Sequence, residues 1–214
     1  MNRCQAAAAW RSLTFGVWMA VTVVPYAVGL VLASVVIGGA RLYWLAAGWN
    51  RLTIWGARVF CGIEHRVQGW RHVDEAHAGG QPLVICAKHQ SAWETFFLSV
   101  AMPRPLSYVF KRELLWIPFF GWALARLAVD TGTPVLPIAV NSGRCWPKGW
   151  LVRPGVIDVS VGTPIPVAGR TPQQVMDDVE TWIETEMHRL DPDAYAACAK
   201  PPGALRATAG GSRA

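Results

Sequence analysis

The sequence predicts an α/β fold: a mixed, largely parallel sheet flanked by helices, preceded by an N-terminal membrane-associated helical segment. Three observations carry that expectation. A run of 29 uncharged residues separates Arg11 from Arg41. Beyond residue 63, short β-branched runs alternate with helical periodicities, the order that packs helices onto a parallel sheet. The 214-residue chain is also 52% hydrophobic and 16% charged, with a positive mean hydropathy. That is more apolar than a soluble domain needs, and the length suffices for one domain plus an anchor. The expected division is 1–63 as anchor and interfacial helix, 64–199 as the α/β domain, and 200–214 as a disordered tail.

The uncharged run, at about 1.5 Å per helical residue, more than covers a hydrocarbon core of about 30 Å. It exceeds the apolar region of a cleaved signal peptide. Pro25 with Gly29 leaves two arrangements open, a kinked spanning helix or a shallow helical hairpin. Arg41, Arg51, Arg58 and Arg66 outnumber Arg3 and Arg11, so the positive-inside tendency puts the domain on the cytoplasmic side of the inner membrane. Leu42 to Ile63 forms a second helix, with Trp44, Trp49 and Trp55 among aliphatics and Arg51 and Arg58 on one face. It suits either the headgroup layer or a place against the domain.

The formal charge of +6 and pI near 9.4 fit an anionic lipid surface or a phosphate-bearing substrate. Nucleic acid is not an expected partner, because no basic patch is interleaved with exposed aromatics outside the membrane segment. The five cysteines are widely spaced and form no C-x-x-C pair, so they are packing residues rather than a disulfide framework or a zinc knuckle. His65, His72 and His77 match no known ligand spacing, and no metal is expected.

In the domain, Glu64 to Gly69 and Pro82 to Ala87 are strands, Ser91 to Met102 a helix, and Leu106 to Phe110 a strand ending at Lys111. A short helical piece follows, then a helix around Phe119 to Ala128. Pro134 to Val140 and Val156 to Val161 are strands bounded by Gly or Pro. The C-terminal helix carries the plainest start signal, with Thr171 as N-cap, Pro172 in the first turn and Gln174 completing a capping box.

The chemistry concentrates in Lys88-His89-Gln90-Ser91-Ala92-Trp93-Glu94, where a buried strand meets a helix. Five helical residues turn through about 500°, so His89 and Glu94 face each other only if His89 lies in the turn. Folded back over the first helical turn, one ring nitrogen of His89 donates to Glu94 and the other is held ready to take a proton. Ser91-Ala92-Trp93-Glu94 is equally a capping box, which would commit the carboxylate to the backbone. Ser91 is not expected to be a nucleophile, because the G-x-S-x-G turn is missing.

His89-Gln90-Ser91-Ala92-Trp93-Glu94 resembles the H-x4-D motif of the lysophosphatidic acid acyltransferases, a PlsC-like glycerophospholipid family. Lys111-Arg112-Glu113-Leu114 with Pro118 and Gly121 resembles that family's second block, and Val135-Leu136-Pro137-Ile138-Ala139 its fourth. The likeness runs from the anchor to about Leu190. It implies transfer of a fatty acyl group from acyl-CoA or acyl carrier protein to the sn-2 hydroxyl of lysophosphatidic acid, forming phosphatidic acid in phospholipid biosynthesis. No cofactor beyond the thioester donor is implied. His89 would deprotonate the acceptor hydroxyl, and Glu94 would fix the imidazole tautomer and stabilise the imidazolium.

Two departures stand out. Glu94 occupies a position where the family usually has Asp. The third block, E-G-T-R, whose arginine holds the substrate phosphate, has no counterpart in the 13 residues between Gly121 and Val135, since Asp130-Thr131-Gly132-Thr133 lacks the arginine. The chain therefore looks internally shortened near 129–131, and Lys111, Arg112 and Arg144 would have to hold the phosphate. Weak acceptor binding and little turnover are expected. The alternative is a membrane-bound relative that binds lipid without turnover, and a hydrolase using His89 to activate water is a third class.

Overall fold

The computed structural model describes residues 3–107 and 120–198. The uncharged run forms α1 (Arg3–Ser34), which continues through Pro25. After a turn comes α2 (Gly39–Cys61), closed by Gly62 in the left-handed region at φ 70°, whose N–H reaches the carbonyls of Ala57 and Arg58. A glycine there ends a helix without Cβ strain. The two helices run antiparallel. Trp18 covers Gly56, where a Cβ would come within 2.4 Å of the indole, and the Tyr26 hydroxyl donates to the Leu45 carbonyl at 2.7 Å. The uncharged run is thus one helix that does not turn back at Pro25 and Gly29; the hairpin is made by α1 with α2.

The remaining elements are β1 (Ile63–Gln68), α3 (Arg71–Ala78), β2 (Val84–Ala87), α4 (Trp93–Ala101), α5 (Phe120–Thr131), β3 (Val135–Val140), β4 (Gly155–Val161), α6 (Pro172–Leu190) and α7 (Pro192–Cys198). The sheet order is β1-β4-β3-β2. β1 pairs with β4 and β2 with β3 in parallel, while β3 and β4 are antiparallel. The sheet is thus mixed and largely parallel, as its alternating sequence implies. All six residues of β3 are buried, as expected for a strand covered on both faces.

Strand alternation sends side chains to two layers. Leu136, Ile138, Val140, Ile157 and Val159 pack with Trp93 and Phe97 of α4, and with Phe15 and Ala57 of the hairpin. Val135 and Ala139 pack with Val175, Val179, Ile183 and Met187 of α6. The first core therefore runs across residue 63. The base of the hairpin is part of it, and Ser12 seals the join by accepting from Val152 N at 2.8 Å and donating to the Val152 carbonyl at 3.2 Å. Cys86 is buried in the second core and Cys145 in the first. Burial pushes the Cys86 thiol up to about 11, so it packs as a small hydrophobe.

Several expectations need correction. α4 begins at Trp93 rather than Ser91, because the Ser91 hydroxyl accepts from Trp93 N and makes a local turn there. α3 lies in the polar stretch between the first two strands and buries only Val73 and Ala76, too few apolar positions to mark it in the sequence. α7 was likewise not expected. Leu106 and Ser107 are irregular; the rest of the strand expected to end at Lys111, the helical piece after it, and the tail lie outside the described residues. The capping box at α6 is as expected, with Thr171 accepting from Gln174 N and the Gln174 side chain accepting from Thr171 N.

Gly69, just past β1, has φ 74°, and a Cβ there would sit 2.1 Å from the Val161 carbonyl oxygen. Backbone cannot retreat as a flexible side chain can, so Gly69→Ala is expected to cost more than about 2 kcal/mol. Thermal unfolding of the detergent-solubilised protein checks this; an unchanged midpoint would refute the clash.

Candidate active site

β2 and β3 are parallel neighbours, so their C-terminal ends open on the same edge of the sheet, the usual place for a site in open α/β folds. The ladder extends one residue past β2, where Lys88 N donates to the Ile138 carbonyl at 2.9 Å. His89 follows directly in the turn, as expected, with its side chain 71% exposed. Beyond β3, Ser142–Arg144 form a single 3-10 turn. The two turns meet.

Glu94, in the first turn of α4, is 2% exposed. Its Oε1 accepts from Gln90 N at 2.9 Å, from Ser91 N at 3.1 Å, and from the Ser142 hydroxyl. Its Oε2 accepts from Ser91 N at 3.0 Å and from the Ser91 hydroxyl at 3.2 Å. A buried carboxylate needs such donors, because the desolvation cost of a bare charge is several kcal/mol. Oε2 also lies 3.8 Å from Nδ1 of His89. That is an ion-pair distance rather than the hydrogen bond expected from the sequence. The carboxylate satisfies the turn first and faces the imidazole second. Half of the sequence's capping box exists: Glu94 reaches back to Ser91 N, but Ser91 serves Trp93 N instead of the N3 amide.

The neighbouring groups are fixed in turn. Trp93 stacks on Phe97 with centroids 4.6 Å apart, and His65 lies against both rings. Burial, with Arg58 nearby, holds the His65 imidazole below its usual range. Lys88 points to the opposite face, where its ammonium meets Glu184 of α6, whose other oxygen accepts from Tyr195. Burial works against the charge on Lys88, but its pairing with Glu184 outweighs it and holds the ammonium above its ordinary range.

Of the expected phosphate ligands, Lys111 and Arg112 lie outside the described residues. Arg144 sits beside the site in the Ser142–Arg144 turn, half exposed, with Nε 3.7 Å from Oδ1 of Asp191. Between Phe120 and Val135 the chain forms only α5 and a short turn, with no strand in the place of the third block. His72 and His77 lie on α3, and no group of three or more potential metal ligands occurs among the described residues.

Sequence reasoning missed Ser142, Gln90 and Gly143. Gln90 Oε1 accepts from Gly143 N at 3.1 Å, a second tie between the two turns. The available signal was topological: a small polar residue ending an all-apolar strand that neighbours β2 in parallel must sit beside the His89 turn.

Because Glu94 serves four donor groups, Glu94→Ala is expected to lower stability by about 2 to 4 kcal/mol through buried unpaired donors. His89→Ala, at an exposed position, should change it by no more than about 0.5 kcal/mol. Denaturant unfolding of both variants checks the pair; equal effects would mean that the carboxylate does not hold the turn.

Comparisons with known proteins bear on this geometry. A family model described as Acyltransferase matches residues 64–129. The 1-acyl-sn-glycerol-3-phosphate acyltransferase of Pseudomonas aeruginosa is 34% identical over 212 residues, covering 72% of this chain and 80% of the relative. The crystal structure of the 1-acyl-sn-glycerophosphate (LPA) acyltransferase PlsC from Thermotoga maritima superposes with a TM-score of 0.66 at 16% identity, covering 86% of this chain and 95% of that one. At that identity the superposition establishes the fold. The family match over the strand, turn and helix that carry His89 and Glu94, with the identity to the Pseudomonas enzyme, makes this chain an acyltransferase of the 1-acyl-sn-glycerol-3-phosphate acyltransferase family.

Proposed function

We propose that the chain transfers a fatty acyl group from acyl-CoA or acyl carrier protein to the sn-2 hydroxyl of lysophosphatidic acid, yielding phosphatidic acid and a free thiol. One observation carries the reading: an exposed imidazole stands beside a buried carboxylate at the strand ends, and the hydroxyls of Ser91 and Ser142 are buried and spent on Glu94. Neither described hydroxyl is placed to act as a nucleophile, so the alcohol is the one that the substrate brings. Nδ1 of His89 faces Glu94, so Nε2 is the nitrogen that takes the hydroxyl proton as the oxygen attacks the thioester carbonyl. The tetrahedral intermediate then expels the thiolate, which recovers that proton from the imidazolium. As the ring becomes charged, the 3.8 Å contact with Glu94 turns attractive and steadies it.

The membrane supplies the acceptor. One face of α1, through Trp10, Leu13, Val17, Val21, Val24 and Val28, is apolar and exposed, and only 6% of its most apolar window is buried. The two ends of the hairpin meet each other, with the Cys61 thiol 3.8 Å from the Arg11 carbonyl, and the Ser12 hydroxyl ties them to the α/β layers at Val152. Such a hairpin enters and leaves the bilayer on the same side, and the arginines favour the cytoplasmic leaflet. Arg144, freed from Asp191, binds the acceptor phosphate with Lys111 and Arg112.

Phosphatidic acid formation in membrane vesicles supplied with an acyl thioester tests this. His89→Ala is expected to lower the rate by about 10²-fold or more, the usual share of a positioned base, and Glu94→Gln by a smaller factor. Turnover undiminished in His89→Ala would overturn the mechanism. No product from any form, wild type included, would favour lipid binding without turnover, a reading that the strandless connection between α5 and β3 supports. Arg144→Ala should raise KM for lysophosphatidic acid about tenfold with kcat nearly unchanged, the worth of one charge-assisted phosphate contact. An unaltered KM would remove Arg144 from the phosphate site.

A further inference from the structure

We infer that Ser142 is a positioning residue that sets the orientation of the Glu94 carboxylate toward His89, making the end of β3 a working part of the site. Ser142 is fully buried, and its hydroxyl donates to Oε1 of Glu94 across 48 residues of sequence. Among the described residues, every other hydrogen bond to that carboxylate comes from Gln90 and Ser91, within its own turn. These local bonds fix where the carboxylate lies; the Ser142 hydroxyl, just beyond β3, is the partner that ties one oxygen to the neighbouring strand's end. It occupies Oε1 and leaves Oε2 opposite Nδ1 of His89.

The same 3-10 turn grips the His89 turn a second time through Gly143 N and Gln90 Oε1. The contact is close, since a Cβ on Gly143 would stand 3.1 Å from that oxygen. Two bonds from one turn of three residues hold the segment that follows His89 at two points, Gln90 and Glu94. The length of Glu94 belongs to the device. A side chain one methylene shorter would pull Oε1 back from the Ser142 hydroxyl.

The surrounding charges do not duplicate this role. Lys88 turns to Glu184 and Tyr195 on the far layer, Arg144 turns to Asp191, and His65 lies against Trp93 and Phe97. Glu94 is the charged group that faces His89 among the described residues.

The inference rests on His89 acting as the base, so the test includes a readout that needs no turnover. Without the hydroxyl the carboxylate is free to turn away from the ring, which withdraws support from the imidazolium. In Ser142→Ala, the titration of the His89 ring, followed by NMR of histidine-labelled protein in detergent micelles and assigned with His89→Gln, should move to lower pH. The acid limb of kcat against pH should move the same way, kcat should fall about tenfold, and KM should hold. Ser142→Thr should restore all of these, and Ser142→Cys serves if the alanine variant does not fold. In a double-mutant cycle, Glu94→Asp should cost much less in the Ser142→Ala background than in wild type, because both act on the same bond. An unmoved His89 titration, or fully additive losses, would overturn the inference. A moved titration in a protein without turnover would uphold it while removing the acyl-transfer reading.

Discussion

The burial of one negative charge organises this molecule. Glu94 is almost inaccessible, and a carboxylate taken from water costs several kcal/mol unless its lone pairs find donors. The chain supplies them from two places: the backbone and hydroxyl of its own turn, and the hydroxyl of Ser142 beyond β3. The second source exists only if β2 and β3 are adjacent and parallel, so that their C-terminal ends coincide. Sheet order, the buried helix start and the exposed imidazole are therefore one constraint, and a register slip in β2 against β3 would leave the charge without its partner from the sheet.

That constraint extends to the membrane segment through α4. Glu94 begins the helix, and Ser99 near its other end accepts from the Asn50 side chain at 2.8 Å, while its carbonyl accepts from the Tyr43 hydroxyl at 3.0 Å. Both partners are on α2. Trp93 and Phe97 share a core with Phe15 and Ala57 of the hairpin. The site and the apolar face of α1 are thus related by packed side chains rather than by a flexible linker. For an enzyme whose acceptor is itself a lipid, such packing replaces part of the orientation that a soluble enzyme must obtain from a binding cleft.

What was legible in the sequence follows the range of the forces involved. The α6 start was readable because a capping box is a local device of four residues, and β3 because a wholly buried strand must be apolar throughout. The turn position of His89 is readable because an apolar, β-branched run ends just before it and a helical periodicity begins just after it. α3 escaped because it hides only Val73 and Ala76 and lies on the layer with an otherwise polar surface. The long His89 to Glu94 distance escaped for a different reason: the sequence shows that the carboxylate has two claimants, the turn and the ring, but which wins depends on a third group, Ser142, brought from 48 residues away. Local patterns cannot rank partners that only the sheet introduces.

The connection from α5 to β3 is brief. Removing a strand and its crossover from the middle of an α/β domain usually exposes an edge or breaks the sheet. Here β2 and β3 pair directly through four residues each, α5 leads into β3 through a brief turn, and α5 and α6 cover the face that results, with Ala128 packed against the α6 side of the sheet. The strand ends that build the His89 turn are direct neighbours and need no further strand between them. Lys88 and Arg144 are engaged with Glu184 and Asp191. The described cations beside the His89 turn are thus paired within the chain.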